Sequence, residues 1–329
     1  METVRRRFLH QRSSRPETKN ILFHTDGQAG SRFALKRAVD LANRNQGRLT
    51  VVNVLEELPR ELLRLAAAMP SQNLQSMTMQ EVRERLETFV APFPKEGPPV
   101  ELEVLYGKPF IEIIRAVLRR QHDLVMMTAE GRSGLREMIF GSTSLHLMRK
   151  CPCPVWVLKP SRRQRFARIL VAVDPDPLDV VRDGVNTKIM ELATSLAGLE
   201  ESELHVGHAW QVCDPTGWRN WQERVPKAQA DDWVEQTRAA HQRRFDELLG
   251  KFNMENLVPR LHLVEGEAGT VIPQLAAKER IDLIVMGTVA RAGLEGLFIG
   301  NTAETVLQRV ACSVLTVKPD GFVTPVKLK

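Results

Sequence analysis

Short apolar segments alternate with longer amphipathic segments along the whole chain. Ile21–Thr25 and Leu124–Met127 are short apolar runs, whereas Ser31–Asn45 carries its apolar residues at helical spacing. Apolar runs of this length indicate buried strands, and the 3.6-residue spacing indicates helices. Their regular alternation predicts a parallel sheet with helices on both faces, the doubly wound α/β class.

The same order of elements occurs twice. Residues 123–160 and 282–319 align without a gap at an offset of 159, and 12 of the 38 aligned positions are identical. The strand and turn at 21–27 (ILFHTDG) match 169–175 (ILVAVDP) at an offset of 148. The difference, 159 − 148 = 11, means that the second half carries extra residues, and we predict that they lie in the segment 213–226.

This repeat predicts two tandem doubly wound parallel-sheet domains in a chain of 329 residues. We assign a basic N-terminal arm to 1–19, the first domain to 20–160, a linker to 161–168, the second domain to 169–320 and a C-terminal tail to 321–329.

Composition narrows the classes of function. The net charge is +6, and six basic residues precede Ile21, but no recognition-helix, zinc-finger or RNA-binding motif accompanies them. Aromatic residues make up only 5%, which argues against base-stacking surfaces and, with the missing motifs, against nucleic-acid binding. No apolar run approaches the roughly 20 residues of a membrane span. The N-terminus also lacks the apolar stretch of a secretory signal, so we expect a cytoplasmic protein without a membrane span.

The four cysteines are too few and too scattered for a disulfide framework. Cys151-Pro152-Cys153 is either a redox pair or simply the start of a buried strand. His205-Val206-Gly207-His208 matches a motif of nucleotidyltransferases, but it lies inside a predicted strand rather than at a turn and helix start. A zinc site built from strand histidines lacks a sequence-local carboxylate or cysteine, and we therefore assign no metal-binding and no catalytic residues.

Ligands of open parallel sheets bind at the carboxyl ends of the strands. The first strand of each half ends at an aspartate, Asp26 or Asp174. Such a carboxylate can bind a ribose hydroxyl, or it can simply stabilise the following turn.

A glycine-containing stretch follows the penultimate strand of each half. The first is Thr128-Ala129-Glu130-Gly131, then nine residues, then Gly141-Ser142; the second is Gly287-Thr288-Val289-Ala290, then nine, then Gly300-Asn301. Glycine allows backbone amides to approach phosphate oxygens, and a helix that starts at Ser142 or Asn301 offers free N–H groups. Alternatively, these residues only shape the turn and cap the helix.

The strand-end aspartates, the glycine pattern and the closing strands PVWVLKP and SVLTVKP together resemble the universal stress protein family, over almost the whole chain and in both halves. The resemblance implies the adenine nucleotide alpha hydrolase-like fold of that family, a role in the stress response and ATP as the bound cofactor. It would place Asp26 near the adenosine, Val52 near the adenine, and Gly131, Gly141 and Ser142 at the phosphates.

In the second half, Asp174, Gly287, Gly300 and Asn301 occupy the matching positions. Both halves depart from the family pattern. Thr128 replaces the first glycine of the first loop, Ala290 replaces the second glycine of the other loop, and Asn301 replaces a serine or threonine. A methyl group at Ala290 would obstruct close phosphate approach. The two loops therefore depart from the pattern in different ways, and we expect nucleotide binding to be weak, restricted to the first domain, or absent.

Three hypotheses about function stay open from the sequence. The first is a non-catalytic regulator that binds a small-molecule ligand. The second is a slow ATPase or nucleotide-transfer enzyme. The third is an interaction adaptor with degenerate sites that binds protein partners through its basic arm or the segment Leu62–Met79; in a variant of the ligand hypothesis, the cleft holds an apolar or acyl molecule. The resemblance also implies that the two domains form an internal pseudo-dimer through their last strands, and a further homodimer is an additional expectation.

Overall fold

The computed structural model describes residues 18–56, 71–93, 97–129, 140–160, 165–176, 179–212, 225–254, 257–288 and 300–328. The predicted insertion segment and the basic arm lie largely outside these residues. Gly131 and the first half of Leu62–Met79, residues 62–70, also lie outside them.

The first half alternates strands and helices in the predicted order. A short 3₁₀ turn, Ala29–Ser31, precedes the first helix. The elements are β1 (Asn20–His24), α1 (Arg32–Arg44), β2 (Arg48–Leu55), α2 (Ser71–Val90), β3 (Val100–Tyr106), α3 (Pro109–Arg120), β4 (Leu124–Thr128), α4 (Ser142–Lys150) and β5 (Val155–Leu158).

The second half repeats this order. Its elements are β6 (Arg168–Ala172), α5 (Val180–Glu200), β7 (Glu203–Trp210), α6 (Lys227–Leu249), β8 (Arg260–Glu265), α7 (Ala268–Lys278), β9 (Leu283–Gly287), α8 (Asn301–Arg309) and β10 (Ser313–Val317). β6 begins at Arg168, the last residue of the predicted linker.

All these strands join one sheet with the order β3-β2-β1-β4-β5-β10-β9-β6-β7-β8. Neighbouring strands within each half are parallel. The two halves meet where β5 pairs antiparallel with β10, with Trp156 opposite Leu315. The α/β class with two similar parallel-sheet halves is therefore confirmed, and the last strands join the halves as expected.

The pleat of the strands divides the interior into two cores. On β1, Ile21 and Phe23 point into one core and Leu22 points into the other, because successive side chains alternate between faces. Helices α1, α2, α5 and α6 cover the first core, and α3, α4, α7 and α8 cover the second. Each core contains residues from both halves, so the hydrophobic interior is continuous across the pairing of β5 with β10.

Contacts between helices and loops reinforce this junction on both faces. On one face, the Arg37 guanidinium lies 3.9 Å from the centre of the Phe166 ring and forms a 3.0 Å ion pair with Glu200. On the other face, Arg149 of α4 pairs with Glu304 of α8. Beyond β10, the C-terminal tail returns to the first half, where the Lys327 carbonyl accepts a 3.2 Å hydrogen bond from Arg115.

Strand register corrects the predicted position of the extra residues. Asn20 lies opposite Arg48, whereas its counterpart Arg168 lies opposite Glu203. The first interval is 48 − 20 = 28 residues and the second is 203 − 168 = 35, so seven of the eleven extra residues precede β7. Thr50 pairs with Glu101 and His205 with Arg260, intervals of 51 and 55, so the other four lie between β7 and β8. Most of the insertion therefore precedes β7, where α5 has 21 residues against 13 in α1, and does not lie in the segment 213–226.

In the described part of the chain, every helix is too short or too polar to cross a membrane.

The junction of the two halves leads to a stability prediction. Leu315 is 1% exposed on β10, so replacing Leu315 with Ala should lower the free energy of unfolding by about 2–5 kcal/mol through lost burial and a cavity. Urea denaturation of the full chain measures this loss. The matched control is Leu261→Ala on the sheet-edge strand β8, where the side chain is 49% exposed and the loss should be clearly smaller. Equal losses would contradict a central role for the junction.

Candidate functional site

The turn after β1 is fixed by hydrogen bonds from β2. The Thr25 amide donates to the Val52 carbonyl (3.0 Å), and the Asn53 side-chain amide donates to the Thr25 carbonyl (2.8 Å). Asn53 is only 8% exposed, so this hydrogen bond lies inside the protein. These bonds hold the backbone at Asp26 in one conformation at the carboxyl edge of the sheet.

Asp26 itself is exposed on this turn. The Gln28 amide donates to Asp26 Oδ1 (3.0 Å), and the Gly27 amide donates to Thr25 Oγ1 (3.0 Å). Gly27 has φ +79°, a left-handed conformation that favours glycine, and it lies beside the Arg85 side chain of α2. The carboxylate therefore makes the Asx-type turn that the sequence left as an alternative. It forms no ion pair among the described residues, so its other oxygen is available to a ligand.

Val52, unlike Asp26, is not exposed. It is fully buried on β2 and packs in the second core with Leu22 and Ile113. Its assignment to an adenine contact stays a prediction.

The predicted phosphate loop is described only at its two ends. Thr128 ends β4 with a buried hydroxyl that has no hydrogen-bond partner among the described residues. Gly141 (φ −72°, ψ 175°) caps α4, and exposed Ser142 begins this helix, which has no acidic residue in its first turn. Leu145 N and Ser144 Oγ both donate to the Gly141 carbonyl. No side chain of the described residues caps this helix, so among these residues its N-terminus is a favourable place for an anionic group.

The corresponding aspartate of the second half has ionic partners of its own. Arg182 lies 3.3 Å from Asp174, 3.3 Å from Asp176 and 3.5 Å from Asp179. The buried Asn186 side chain also bonds both the amide and the carbonyl of Asp174. Arg182 and Asn186 lie in the first two turns of α5.

Two further positions differ at the second edge. Strand register places Gly207 where the first half has Val52, and a Cβ atom there would lie 3.1 Å from Leu275. The next residue, His208, takes the place of Asn53, and its ring Nδ1 lies 3.2 Å from the Val173 carbonyl. Asn53 and His208 thus lie against equivalent strand-end carbonyls, those of Thr25 and Val173. The sequence analysis did not assign this role, although both residues directly follow the Val52 and Gly207 positions.

Gly287 has a packing role. A Cβ atom at Gly287 would lie 2.9 Å from Val185 of α5, so a side chain would displace the helix. The neighbouring Thr288 is fully buried and accepts a 2.6 Å hydrogen bond from Lys318. Gly300 caps α8, which begins at the exposed Asn301. The ligand roles predicted for Gly287, Gly300 and Asn301 stay predictions.

The four histidines of the second half form two separate pairs. His208 Nε2 lies 2.9 Å from His241 Nδ1, and His205 Nδ1 lies 3.0 Å from His262 Nε2. His205 and His208 are three residues apart on β7, as the sequence predicted, and point to opposite faces. Within the described ranges, no group of three or more His, Cys, Asp or Glu side chains could hold a metal ion.

Cys151 and Cys153 are free thiols, both buried, with their sulfur atoms 3.5 Å apart. The hydrogen bond to Cys151 and burial both raise the pKa of Cys153. Burial likewise raises the pKa of Cys312 to about 12. The thiol forms therefore dominate at neutral pH, which disfavours nucleophilic reactivity at these positions.

Comparison with known proteins agrees with this architecture. The family model described as "Universal stress protein family" matches residues 17–159 and again 165–318. The chain belongs to the universal stress protein family. Its relatives include "Universal stress protein E" of Salmonella typhi, 30% identical over 94% of this chain and 97% of that protein, and the protein of the same name in Escherichia coli K12, also 30% identical with the same coverage.

Solved structures support the same family and fold. A functionally unknown protein from Pseudomonas aeruginosa PAO1 is 27% identical, covers 93% of this chain and 94% of its own, and superposes with a TM-score of 0.62. A putative universal stress protein from Pseudomonas aeruginosa UCBPP-PA14 is also 27% identical, covers 93% and 95%, and gives a TM-score of 0.61.

The His208 environment leads to a pH prediction. Burial lowers the pKa of His208 to about 4, against the attraction of Asp174, which raises it. The unfolded chain, with a pKa of about 6.5, therefore binds the proton first, and stability should fall as pH drops from about 6.5 to about 4. We expect His208→Asn, which places the Asn53 residue type at this position, to reduce this fall.

Urea denaturation at pH 7 and pH 5 measures the difference in unfolding free energy. The reciprocal variant Asn53→His adds a buried histidine to the first domain and should steepen the dependence on pH. An unchanged pH dependence in His208→Asn would show that His208 is not the titrating group.

Proposed function

We propose that this universal stress protein is a non-catalytic regulator that binds an adenine nucleotide, with ATP as the first candidate, at the carboxyl edge of its first domain. The observation that carries the proposal is the contrast between the two strand-end aspartates. Asp26 is exposed and has no ionic partner among the described residues, whereas Asp174 is paired with Arg182. One edge is thus available to a ligand, and the other is occupied by the protein's own charges.

Each group at the first edge has a role in this proposal. The free oxygen of Asp26 accepts hydrogen bonds from ribose hydroxyls, and Val52 contributes to the apolar floor beneath the base. The amides after Gly141 and the Ser142 hydroxyl at the start of α4 bind phosphate oxygens, because a helix N-terminus favours anions. Thr128 precedes the same loop, and the sequence places Gly131 within it.

Electrostatics supports assigning the nucleotide to the first domain. In the second domain, Asp174, Asp176 and Asp179 gather three carboxylates around one guanidinium. This local excess of negative charge repels a polyphosphate. We therefore propose that Asp174, Gly287, Gly300 and Asn301 do not form a second ATP site.

The chemistry of the first edge supports binding rather than turnover. His24, at the end of β1, has its pKa lowered to about 4 by burial, so at pH 7 it is a neutral imidazole and not an imidazolium that could act as a general acid. Asp26 uses one carboxylate oxygen to accept the Gln28 amide in its turn and, in this proposal, gives the other to a ribose hydroxyl, which is a binding role. We further propose that the protein acts in the cytoplasm; the homodimer and the protein partners stay predictions.

Nucleotide titration of the full chain tests the location of the site. Replacing Asp26 with Ala removes charge-assisted hydrogen bonds of about 1.5–3 kcal/mol, so ATP affinity measured by calorimetry should fall about 10- to 100-fold. The matched control Asp174→Ala should leave the affinity unchanged. Equal losses in both variants, or a loss only in Asp174→Ala, would contradict the assignment.

The helix start provides a second matched pair. Gly141 and Gly300 both have negative φ (−72° and −61°), so valine fits their backbone without strain. Gly141→Val should obstruct phosphate approach and weaken ATP binding at least 10-fold relative to AMP, whereas Gly300→Val should not. Competition calorimetry with AMP and ATP measures the difference.

Mass spectrometry of small molecules released from freshly purified protein by denaturation identifies the natural ligand. Recovery of adenine nucleotide supports the proposal. Recovery of an acyl or other apolar molecule would replace it with a repurposed cleft, and an empty protein that also fails to bind added ATP would favour the adaptor hypothesis. ATP hydrolysis that disappears in Asp26→Ala would establish a slow ATPase instead.

A further inference from the structure

A polar pocket opens at the amino edge of the first domain, at the opposite ends of the strands from Asp26. Its volume is about 280 Å³. β1 and β2 begin at this edge, α3 ends there, and His122 precedes β4. The lining residues come from these elements and from β3: Asn20, Arg48, Thr50, Glu101, Arg120 and His122.

The negative groups around this pocket already have partners. Arg120 pairs with Glu101 and, at 3.4 Å, with Glu103. Asp123 accepts the backbone amides of Lys19 (2.7 Å) and Asn20 (2.9 Å). Each of these carboxylates thus has the Arg120 guanidinium or backbone amides as its partner.

Arg48 differs from these residues. It is exposed at the first position of β2 and forms no ion pair with any residue that the structure describes. Burial raises the pKa of Asp123 and lowers that of His122, and the positive charge of Arg48 acts on both groups in the lowering direction, so Arg48 lies within electrostatic range of the pocket wall. The pocket therefore has one exposed cationic group that forms no ion pair within the described part of the chain.

His122 adds an unsatisfied polar group to the wall. The side chain is 4% exposed, and neither ring nitrogen has a hydrogen-bond partner among the described residues. Burial lowers its pKa to about 4, although the nearby backbone of Asn20 raises it. A neutral imidazole carries one N–H, and an unpaired buried donor is costly unless a ligand or water accepts its hydrogen bond.

In the second domain, side chains bond one another at the place that corresponds to this pocket. Register places Glu203 where the first domain has Arg48, and His205 where it has Thr50. Glu203 accepts Arg168 Nε at 3.1 Å and also pairs with Arg260, while His205 bonds His262. At the His122 position the repeat carries the aliphatic Ile281.

The first domain thus has the Arg48 guanidinium where the second has the Glu203 carboxylate. It also has Thr50 where the second has a larger histidine. Both differences favour the binding of an anion in the first domain. The smaller side chain makes room, and Arg48 is left without the counter-ion that its counterpart has.

We propose that this amino-edge pocket binds a small oxyanion, the phosphate group of a small metabolite or inorganic phosphate, with Arg48 as the principal ligand and His122 as a hydrogen-bond donor. Arginine matches the geometry of phosphate oxygens and retains its charge at all physiological pH values. The pocket lies at the small end of the range of ligand sites, which suits a compact anion rather than a nucleotide. The site is independent of the proposed nucleotide edge.

Titration of the full chain with inorganic phosphate tests this site, with sodium chloride at matched ionic strength as the reference. The experiment is run on protein saturated with ATP and on Gly141→Val, so that phosphate binding at the start of α4 does not contribute. We expect saturable phosphate binding in both cases. Arg48→Gln should weaken it at least 10-fold, and Arg260→Gln, an exposed arginine at the same edge of the second domain, should leave it unchanged.

A second variant and a second measurement separate binding from folding. Thr50→His combined with His122→Ile reproduces the second-domain side chains and should fill the pocket and abolish binding. In the unaltered protein, phosphate should raise the pKa of His122, followed by NMR of its ring protons, because a bound anion stabilises the imidazolium. Phosphate binding no stronger than chloride binding, equal losses in Arg48→Gln and Arg260→Gln, or an unshifted His122 titration would each overturn the proposal.

Discussion

The antiparallel pairing of β5 with β10 is the constraint on which the rest of the structure depends. A half-sheet that ended at β5 would expose unpaired backbone groups and the buried face of Trp156. Pairing with β10 satisfies both, and it joins the cores of the two halves into common hydrophobic layers. Helices on each face then meet across the junction, as Arg37 with Glu200 and Arg149 with Glu304 illustrate. The two repeats consequently form one continuous hydrophobic interior.

On this shared frame the polar edges have diverged. At the carboxyl edge, α5 is eight residues longer than α1. In its first two turns, Arg182 pairs with Asp174, and Asn186 bonds the backbone of the same aspartate. At the amino edge, charge reversal between Arg48 and Glu203 leaves one half open and the other closed by ion pairs. The backbone is repeated, whereas the side chains at its two polar edges are not.

Regular elements were predictable from the sequence because their signal is local. The apolar run of Ile21–Thr25 and the repeat at 282–319 were sufficient for the fold class and the element order. The position of the extra residues was not predictable, because no matching motif lies between Asp174 and Gly266 in the alignment of the halves. Only strand register showed that most of them precede β7.

The candidate sites likewise divide into residues that the local sequence predicts and residues that only tertiary packing brings together. Asp26 and Gly141 could be proposed from motif and spacing, since each follows a strand or starts a helix. The Arg182–Asp174 pair and the pocket at Arg48 depend on residues that come together only through tertiary packing. Asn53 is intermediate: it directly follows Val52, but its bond to the Thr25 carbonyl connects two strands and could not be derived from either alone.

The ion pair between Arg149 and Glu304 has a consequence for symmetry. At the repeat offset of 159, the counterpart of Arg149 is Gln308 and the counterpart of Glu304 is Leu145. In a dimer of identical subunits each contact occurs twice, so every residue must suit both copies of an isologous interface. Covalent linkage of two repeats removes that requirement and allows a contact to occur once, with a cation on one side and an anion on the other. The junction is therefore specific for unlike halves, and two copies of either half could not reproduce this pair.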